Sequence, residues 1–346
     1  MVIPSRLRRS NLFIKLTSWE YWPFGIIQAP LFPYWLWLSL KARSFIFFSN
    51  SNPGILMGGM FGESKFEVLS RVPDSVKPKS LLIRCPTSVM HILDQMQLHG
   101  IKFPAIFKPD LGERGYMVRK ISNTGDIENY LKEIKIDFLI QEFVDLPLEF
   151  GVFYVHYPSE PKGRVTSIVG KEMLAVIGDG SKSLATLILE LDRAKLQWNT
   201  LRVTYRDKLN EVIPKGEKIE LVSIGNHCLG TKFLDSNHLI SERLSQSFNA
   251  ISTQVDGFYF GRYDLRVASL SDLEEGRVMI MELNGCGAEP AHIYNPGFPL
   301  LEACRVLFKH WSDIYRVSVE NHQRGTAYLS FREARAIYKR FKSVVK

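Results

Sequence analysis

Cysteine is scarce. Cys85, Cys228, Cys286 and Cys304 are the only thiols in 346 residues, and no two form a C-x-x-C pair. That spacing argues against a zinc knuckle and against a disulfide scaffold, and it points to free thiols in a reducing, cytoplasmic compartment. No dense Lys/Arg run with interleaved aromatics occurs, so nucleic acid is not an expected partner despite a net charge of +8. The positive balance still favours anions, whether nucleotide phosphates or a membrane surface. A Walker A motif is missing as well: 58-GGMFGESK-65 and 170-GKE-172 both fail its spacing, which excludes a P-loop. Internal repeats and low-complexity segments are also lacking.

What is present belongs to an ordinary globular protein, with 45% hydrophobic and 23% charged residues and room for two or three domains. The stretch 21–49 is strongly apolar and follows the basic 6-RLRR-9. Pro23, Pro30 and Pro33 interrupt its first half, Lys41 and Arg43 its second, and no small-residue cleavage site follows. The favoured reading of 34-YWLWLSLKARSFIFF-48 is a buried helix and strand. The alternative is peripheral membrane contact through 19–48, at the inner face of the membrane, with tryptophans at the interface.

Three regions are expected: an aromatic-rich, then Gly-rich N-terminal region over 1–85, a mixed α/β (α+β) unit over 86–320, and a basic C-terminal helix over 321–346. Short strands are predicted at 104–109, 116–121, 138–143, 149–157, 164–173, 218–224, 257–267 and 277–284. Helices are predicted at 126–135, within 177–191, and at 241–255, 299–311 and 330–346.

The most informative pattern is 257-GFYFGRYDLRV-267 followed by 277-RVMIMELN-284. Side chains on one strand face recur every second residue, so Arg262 and Asp264 share a face, as do Glu282 and Asn284. If the two strands pair, Asp264, Glu282 and Asn284 converge as oxygen donors suited to Mg²⁺ or Mn²⁺ bridging phosphates. Arg262 beside them would stabilise developing negative charge. The bland alternative is a salt bridge between strands. A second pattern is Lys108 at the end of 103-FPAIFKP-109, before the loop 110-DLGERGY-116. A lysine ending a buried strand requires an anion, and Gly112 and Gly115 allow backbone N–H groups close to phosphate. Between these ends, 138-FLIQEFVDLPLEF-150 offers backbone donors and acceptors to an adenine edge, and Glu149 is placed to accept from ribose hydroxyls.

The order F-P-x-x-x-K-P, Gly loop, Q-E-F-V with a later Glu, R-x-D, then E-x-N-G resembles the ATP-grasp superfamily over about residues 100–300. It is similar to D-alanine–D-alanine ligases. The stretches 176-VIGDGSKSLATLI-188 and 214–235 are similar to the ligase part of cyanophycin synthetases. The resemblance implies two α+β subdomains enclosing ATP, a smaller lid over about 100–180 and a metal-binding part over about 181–320. It implies Lys108 on the ATP phosphates under the loop with Gly112, Arg114 and Gly115, and an adenine hinge at Gln141, Glu142, Phe143 and Val144, with Glu149 on the ribose. Asp264, Glu282 and Asn284 would hold Mg²⁺, and Arg262 would act in catalysis. Lys65 would add a phosphate contact, and Lys171 a further phosphate or substrate contact. The implied reaction is ATP-dependent joining of a carboxylate to an amine, or to a thiol, through an acyl phosphate. Similar enzymes are commonly homodimers.

The chain departs from that pattern in three places. Glu113 brings negative charge to the phosphate loop. Glu289 and His292, in 285-GCGAEPAH-292, stand where the superfamily has a Pro-Gly turn, and are candidate substrate contacts. A lone histidine in a Gly-rich loop such as His292 is more often a structural hydrogen-bonder. The first 85 residues do not resemble the usual first domain. Two rival functions remain at this stage, a kinase acting on a hydroxyl or phosphate, and a nucleotide-binding, membrane-associated module without turnover.

Overall fold

The computed structural model describes residues 10–112, 115–222, 225 and 227–345. Arg114 of the predicted phosphate loop, with Glu113, lies outside them. The first strands are β1 (Ser80–Ile83), β2 (Ala105–Pro109), β3 (Arg119–Ile121) and β4 (Phe138–Glu142), joined as an antiparallel sheet in the order β1-β4-β2-β3. There follow β5 (Leu148–Val155), β6 (Arg164–Glu172), a small pair β7 (Ala175–Ile177) and β8 (Lys218–Glu220), and then β9 (Lys232–Asp235), β10 (Phe260–Val267) and β11 (Met279–Asn284). The larger sheet runs β11-β10-β5-β6-β9 and is antiparallel throughout. The chain is thus a mixed α/β protein, as the sequence implies.

The longest helices are α1 (Phe32–Ala42), α2 (Val89–Leu98), α3 (Thr124–Glu133), α4 (Glu242–Ser252), α5 (Leu300–Gln323) and α6 (Phe331–Val345). Local chemistry starts them. The Asn123 side chain accepts from the Asp126 N–H at the head of α3, and Ser241 accepts from Leu244 at the head of α4. In α4 the apolar residues Leu244, Phe248 and Ile251 recur at helical spacing and pack against Val152, Tyr154 and Tyr263 of the larger sheet. On the smaller sheet Ile92 and Met96 of α2 and Ile127 and Tyr130 of α3 meet Phe107 and Phe138. Each such side chain contributes roughly 1.5–3 kcal/mol by leaving water.

Several expectations shift. The strand expected near 43–48 does not form. Phe47–Asn50 is a 3₁₀ turn whose two phenylalanines are buried against Phe153 and Phe260, so apolar burial is met by packing rather than by a ladder. The helix expected at 299–311 runs on to Gln323, because Ile314 and Val317 continue its buried stripe. β1 was not foreseen, and it carries the smaller sheet back across the boundary drawn at 85. β5 and β6, grouped with the lid by sequence, are hydrogen-bonded into the larger sheet.

The Gly-rich N-terminal stretch docks backbone to backbone behind β11. Cys286 N–H donates to Gly58 O at 3.0 Å and Gly287 N–H to Gly59 O at 2.9 Å. Gly58 and Gly59 take φ of +66° and +77°, and a Cβ on Gly59 would lie 2.6 Å from Gly285 Cα. Only glycine permits this conformation at this distance.

Candidate active site

The site is written across rows of the larger sheet. β10 pairs β11 with Arg262 opposite Asn284 and Asp264 opposite Glu282. β10 also pairs β5 with Asp264 opposite Gly151 and Arg266 opposite Glu149, and β5 pairs β6 with Glu149 opposite Lys171. Directly opposed residues share a face, so Lys171, Glu149, Arg266, Asp264, Glu282, Arg262 and Asn284 all project from one side. The strand pairing expected from sequence brings the predicted residues together.

Asp264 is the centre of this array. Its carboxylate is buried and accepts from Lys171 Nζ at 2.9 Å, Arg262 Nη2 at 3.0 Å and Asn284 Nδ2 at 2.9 Å. Burial by itself would raise its pKa, but the Arg262 guanidinium and Lys171 ammonium together hold the carboxyl well below the usual carboxylate range. Lys171 also reaches Glu149 Oε1 at 3.2 Å. Burial opposes its charge, yet Asp264 and Glu149 raise its pKa above that of an ordinary lysine. Glu149 is buried, and its second oxygen accepts from Arg266 Nε at 2.9 Å, so the predicted ribose acceptor is already oriented by two cations. Gly151 makes room for this traffic, since a Cβ there would lie 2.8 Å from Val169 and 3.1 Å from Arg262.

Because Asp264 has a depressed pKa, its stabilisation is complete above the ordinary unfolded value near 4 and disappears as pH falls below that. Asp264→Asn removes one partner from the buried Lys171 ammonium and the half-buried Arg262 guanidinium and is expected to cost about 3–5 kcal/mol at neutral pH. The variant's stability should also vary less with pH below about 4, measured as denaturant midpoints across an acid series.

Lys108 comes from the other sheet. It is buried at the end of β2, and its Nζ donates to Gln141 Oε1 at 3.1 Å and to Met281 O at 3.0 Å. Gln141 Nε2 donates to Met281 O at 3.2 Å and to Ser80 Oγ at 3.1 Å. Met281 can accept twice because β11 bulges there. Asp264 pairs with Glu282 and Leu265 with Ile280, which leaves Met281 unpaired in the ladder. Among the described residues no carboxylate lies within ion-pair distance of Lys108. Burial pushes its pKa down, and the nearby Glu282 charge offsets this only in part.

Lys65 is brought to the same place. Its Nζ donates to Gly112 O in the predicted phosphate loop, and its N–H to Asp110 O at 3.2 Å. Asp110 accepts from Ser64 Oγ at 2.9 Å and the Phe66 N–H at 3.0 Å, which fastens the short helix Lys65–Ser70 to that loop. Along the predicted hinge, Glu142 N–H donates to Lys79 O at 2.9 Å, Val144 is buried, and Val144 O accepts from Arg266 Nη1 at 3.0 Å. Lys120 Nζ lies 4.0 Å from the Phe143 ring centroid.

Glu289 and His292 have structural partners. Glu289 accepts from Gln28 Nε2 and, at 2.6 Å, from Tyr294 OH, while its backbone oxygen accepts from Arg262 Nη1. His292 is buried with Nδ1 2.7 Å from Ser167 Oγ, and burial lowers its pKa. Both hold the turn after β11 in place. Sequence reasoning missed Arg266, Gly151 and Met281. The alternation 262-RYDLR-266 places three charges on one face and was a usable signal for the first, whereas nothing local announces the bulge.

Mg²⁺ fits the donor set. The Glu282 side chain, opposite Asp264, has no hydrogen-bond or ion-pair partner among the described residues, and Asn284 Nδ2 donates to Asp264 Oδ2 at 2.9 Å. The set contains two carboxylates and an amide, all hard oxygen donors. No group of three or more His, Cys, Asp or Glu that could hold a metal occurs among the described residues. ATP fits as well, because a buried ammonium held only by neutral oxygens is stabilised by an anion.

No protein-family model matches the chain, and no curated protein sequence matches it. Among solved structures it is similar to the VanG D-Ala:D-Ser ligase from Enterococcus faecalis, with TM-score 0.43 and 10% identity over 76% of this chain and 62% of that one. It is similar to the D-alanine–D-alanine ligase from Bacillus anthracis, with TM-score 0.42 and 13% identity over 79% of this chain and 72% of that one. A bifunctional glutathione synthetase from Pasteurella multocida gives TM-score 0.37 and 14% identity, over 70% of this chain but only 35% of that one. These three structures are of ATP-grasp enzymes.

Proposed function

We propose that the chain is an ATP-dependent ligase that activates a substrate carboxylate as an acyl phosphate and joins it to an amine, with MgATP held between the two sheets. The observation that carries this reading is Lys108. It is a buried cation of the smaller sheet with no carboxylate within ion-pair distance among the described residues, hydrogen-bonded to the Met281 carbonyl beside the carboxylate row of the larger one.

The residues then divide the work. Gln141, Glu142, Phe143 and Val144 present the hinge to adenine, and Glu149 accepts from ribose hydroxyls. Lys108 and Lys65, with the loop through Gly112 and Gly115, meet the phosphates, and Lys171 turns from Asp264 to join them. Asp264, Glu282 and Asn284 hold the metal, and bound Mg²⁺ would draw charge from the phosphoryl group as it moves. Arg262, fixed between Asp264 and the Glu289 carbonyl, faces the oxyanion that develops when the amine attacks. No covalent enzyme nucleophile is required. Positioning and charge neutralisation do the chemistry.

The test is Mg²⁺-dependent ADP release from the purified protein against pools of amino acids, short peptides, thiols and hydroxy acids. Release that needs both a carboxylate and an amine supports the ligase. Release with a thiol in the amine's place changes the acceptor class, and a stable phosphorylated product without an amine makes the protein a kinase. MgATP binding without release in any pool overturns the catalytic reading.

A further inference from the structure

The N-terminal segment is apolar on both sides. The inner side of α1 packs Leu38, with Tyr34 and Trp35, into the cluster that holds Phe47 and Ile314. Its outer side presents Phe32, Leu36, Trp37 and Leu40, of which Phe32 and Leu40 are 61% and 65% exposed. The preceding helix Asn11–Thr17 exposes Leu12 and Leu16, and the turn of helix Phe24–Gln28 exposes Phe24 and Ile26. So many large apolar side chains exposed within so short a stretch exceed the scattered exposure of an ordinary surface.

The exposed charges within residues 10–45 have one sign. Lys15, Lys41 and Arg43 are exposed, and Lys41 Nζ lies 4.5 Å from the Trp37 ring centroid. Glu20 is the only acidic residue in positions 1–62. It is buried and turned inward, with Arg193 Nη2 at 2.6 Å. The basic helix α6 packs Ala334 and Ile337 into the same cluster as α1. Among the described residues no helix is long and apolar enough to cross a membrane.

We propose that the outer face of residues 12–45 docks onto an anionic lipid surface, its apolar side chains entering the headgroup boundary and Lys15, Lys41 and Arg43 meeting lipid charge. Charge complementarity selects this occupant. A second copy would set these cations against themselves, with no exposed acid within residues 10–45 to pair them. The docking is independent of ATP turnover, so the two proposals stand or fall separately.

The test is co-sedimentation of the full chain with vesicles of phosphatidylglycerol and phosphatidylcholine in equal parts, and with phosphatidylcholine alone. Partition to the anionic vesicles is expected to be at least about tenfold stronger and to weaken as salt rises. Trp37→Ser with Leu40→Ser, and separately Lys15→Glu with Lys41→Glu, should each reduce it about tenfold or more while ADP release is unchanged. If the first pair melts early, Leu16→Ser with Phe24→Ser replaces it. Equal partition to neutral vesicles, no partition, or partition untouched by these variants overturns the proposal. So does a concentration-dependent dimer that Trp37→Ser with Leu40→Ser dissolves without any vesicle binding, which would make a second copy the occupant.

Discussion

Glu282→Gln is expected to reduce Mg²⁺-dependent ADP release below about a hundredth of the wild-type rate while leaving the melting temperature nearly unchanged. The contrast with Asp264 explains why. Asp264 neutralises the buried Lys171 and the half-buried Arg262, and the larger sheet depends on it, whereas among the described residues no donor or cation grips the Glu282 carboxylate. Its removal therefore leaves no buried charge newly unpaired within ion-pair distance, and its stability cost should stay within about 1 kcal/mol. A half-buried carboxylate opposite Asp264, with no side-chain partner among the described residues, is available to the proposed metal. Two measurements on one variant separate the roles: ADP release, and thermal unfolding followed by circular dichroism. Undiminished release would remove Glu282 from the metal site.

Gly59→Ala is expected to cost about 3–5 kcal/mol, a large share of the stability of an ordinary domain, and to weaken ATP binding with it. The added Cβ would lie 2.6 Å from Gly285 Cα and 2.9 Å from Gly285 N, at a φ of +77°. The neighbour is backbone and cannot swing aside. Gly285 directly follows Asn284, so any relief moves the end of β11 and the ligand row with it. Gly25→Ala is the matched control. Nothing lies within 4 Å of a Cβ there, and the site is within a short helix, where alanine is the better residue by up to about 1 kcal/mol. Denaturant midpoints for the two variants should move in opposite directions. A Gly59→Ala protein as stable as wild type would mean that the loops do not meet as described.

Much of the site was legible because strands encode their faces by alternation. 262-RYDLR-266 and 282-ELN-284 announce which side chains lie together once their strands pair, and antiparallel pairing of two nearby strands is the commonest outcome. Lys108 was legible for a related reason, since a lysine closing an apolar run must find oxygen. Glu289 and His292 were legible only as polar residues in a turn. Whether such a residue faces a ligand or a neighbour depends on elements far away in sequence, here Gln28 and Ser167. The strand expected near 43–48 failed for the same reason. Aromatic residues bury equally well in a ladder or against a sheet face, and the choice lies with the partner.

By itself, then, the amino-acid order determined the alternating faces of β10 and β11 and the amphipathic stripes of α3 and α4, because each depends on neighbours a few residues apart. Only the tertiary structure decided that the Met281 bulge would turn a carbonyl toward Lys108, that Gly58 and Gly59 would close on Gly285, and that α1 would be left with an apolar outer face. Those depend on register and on contacts across two hundred residues, where chain geometry rather than local preference selects the partner.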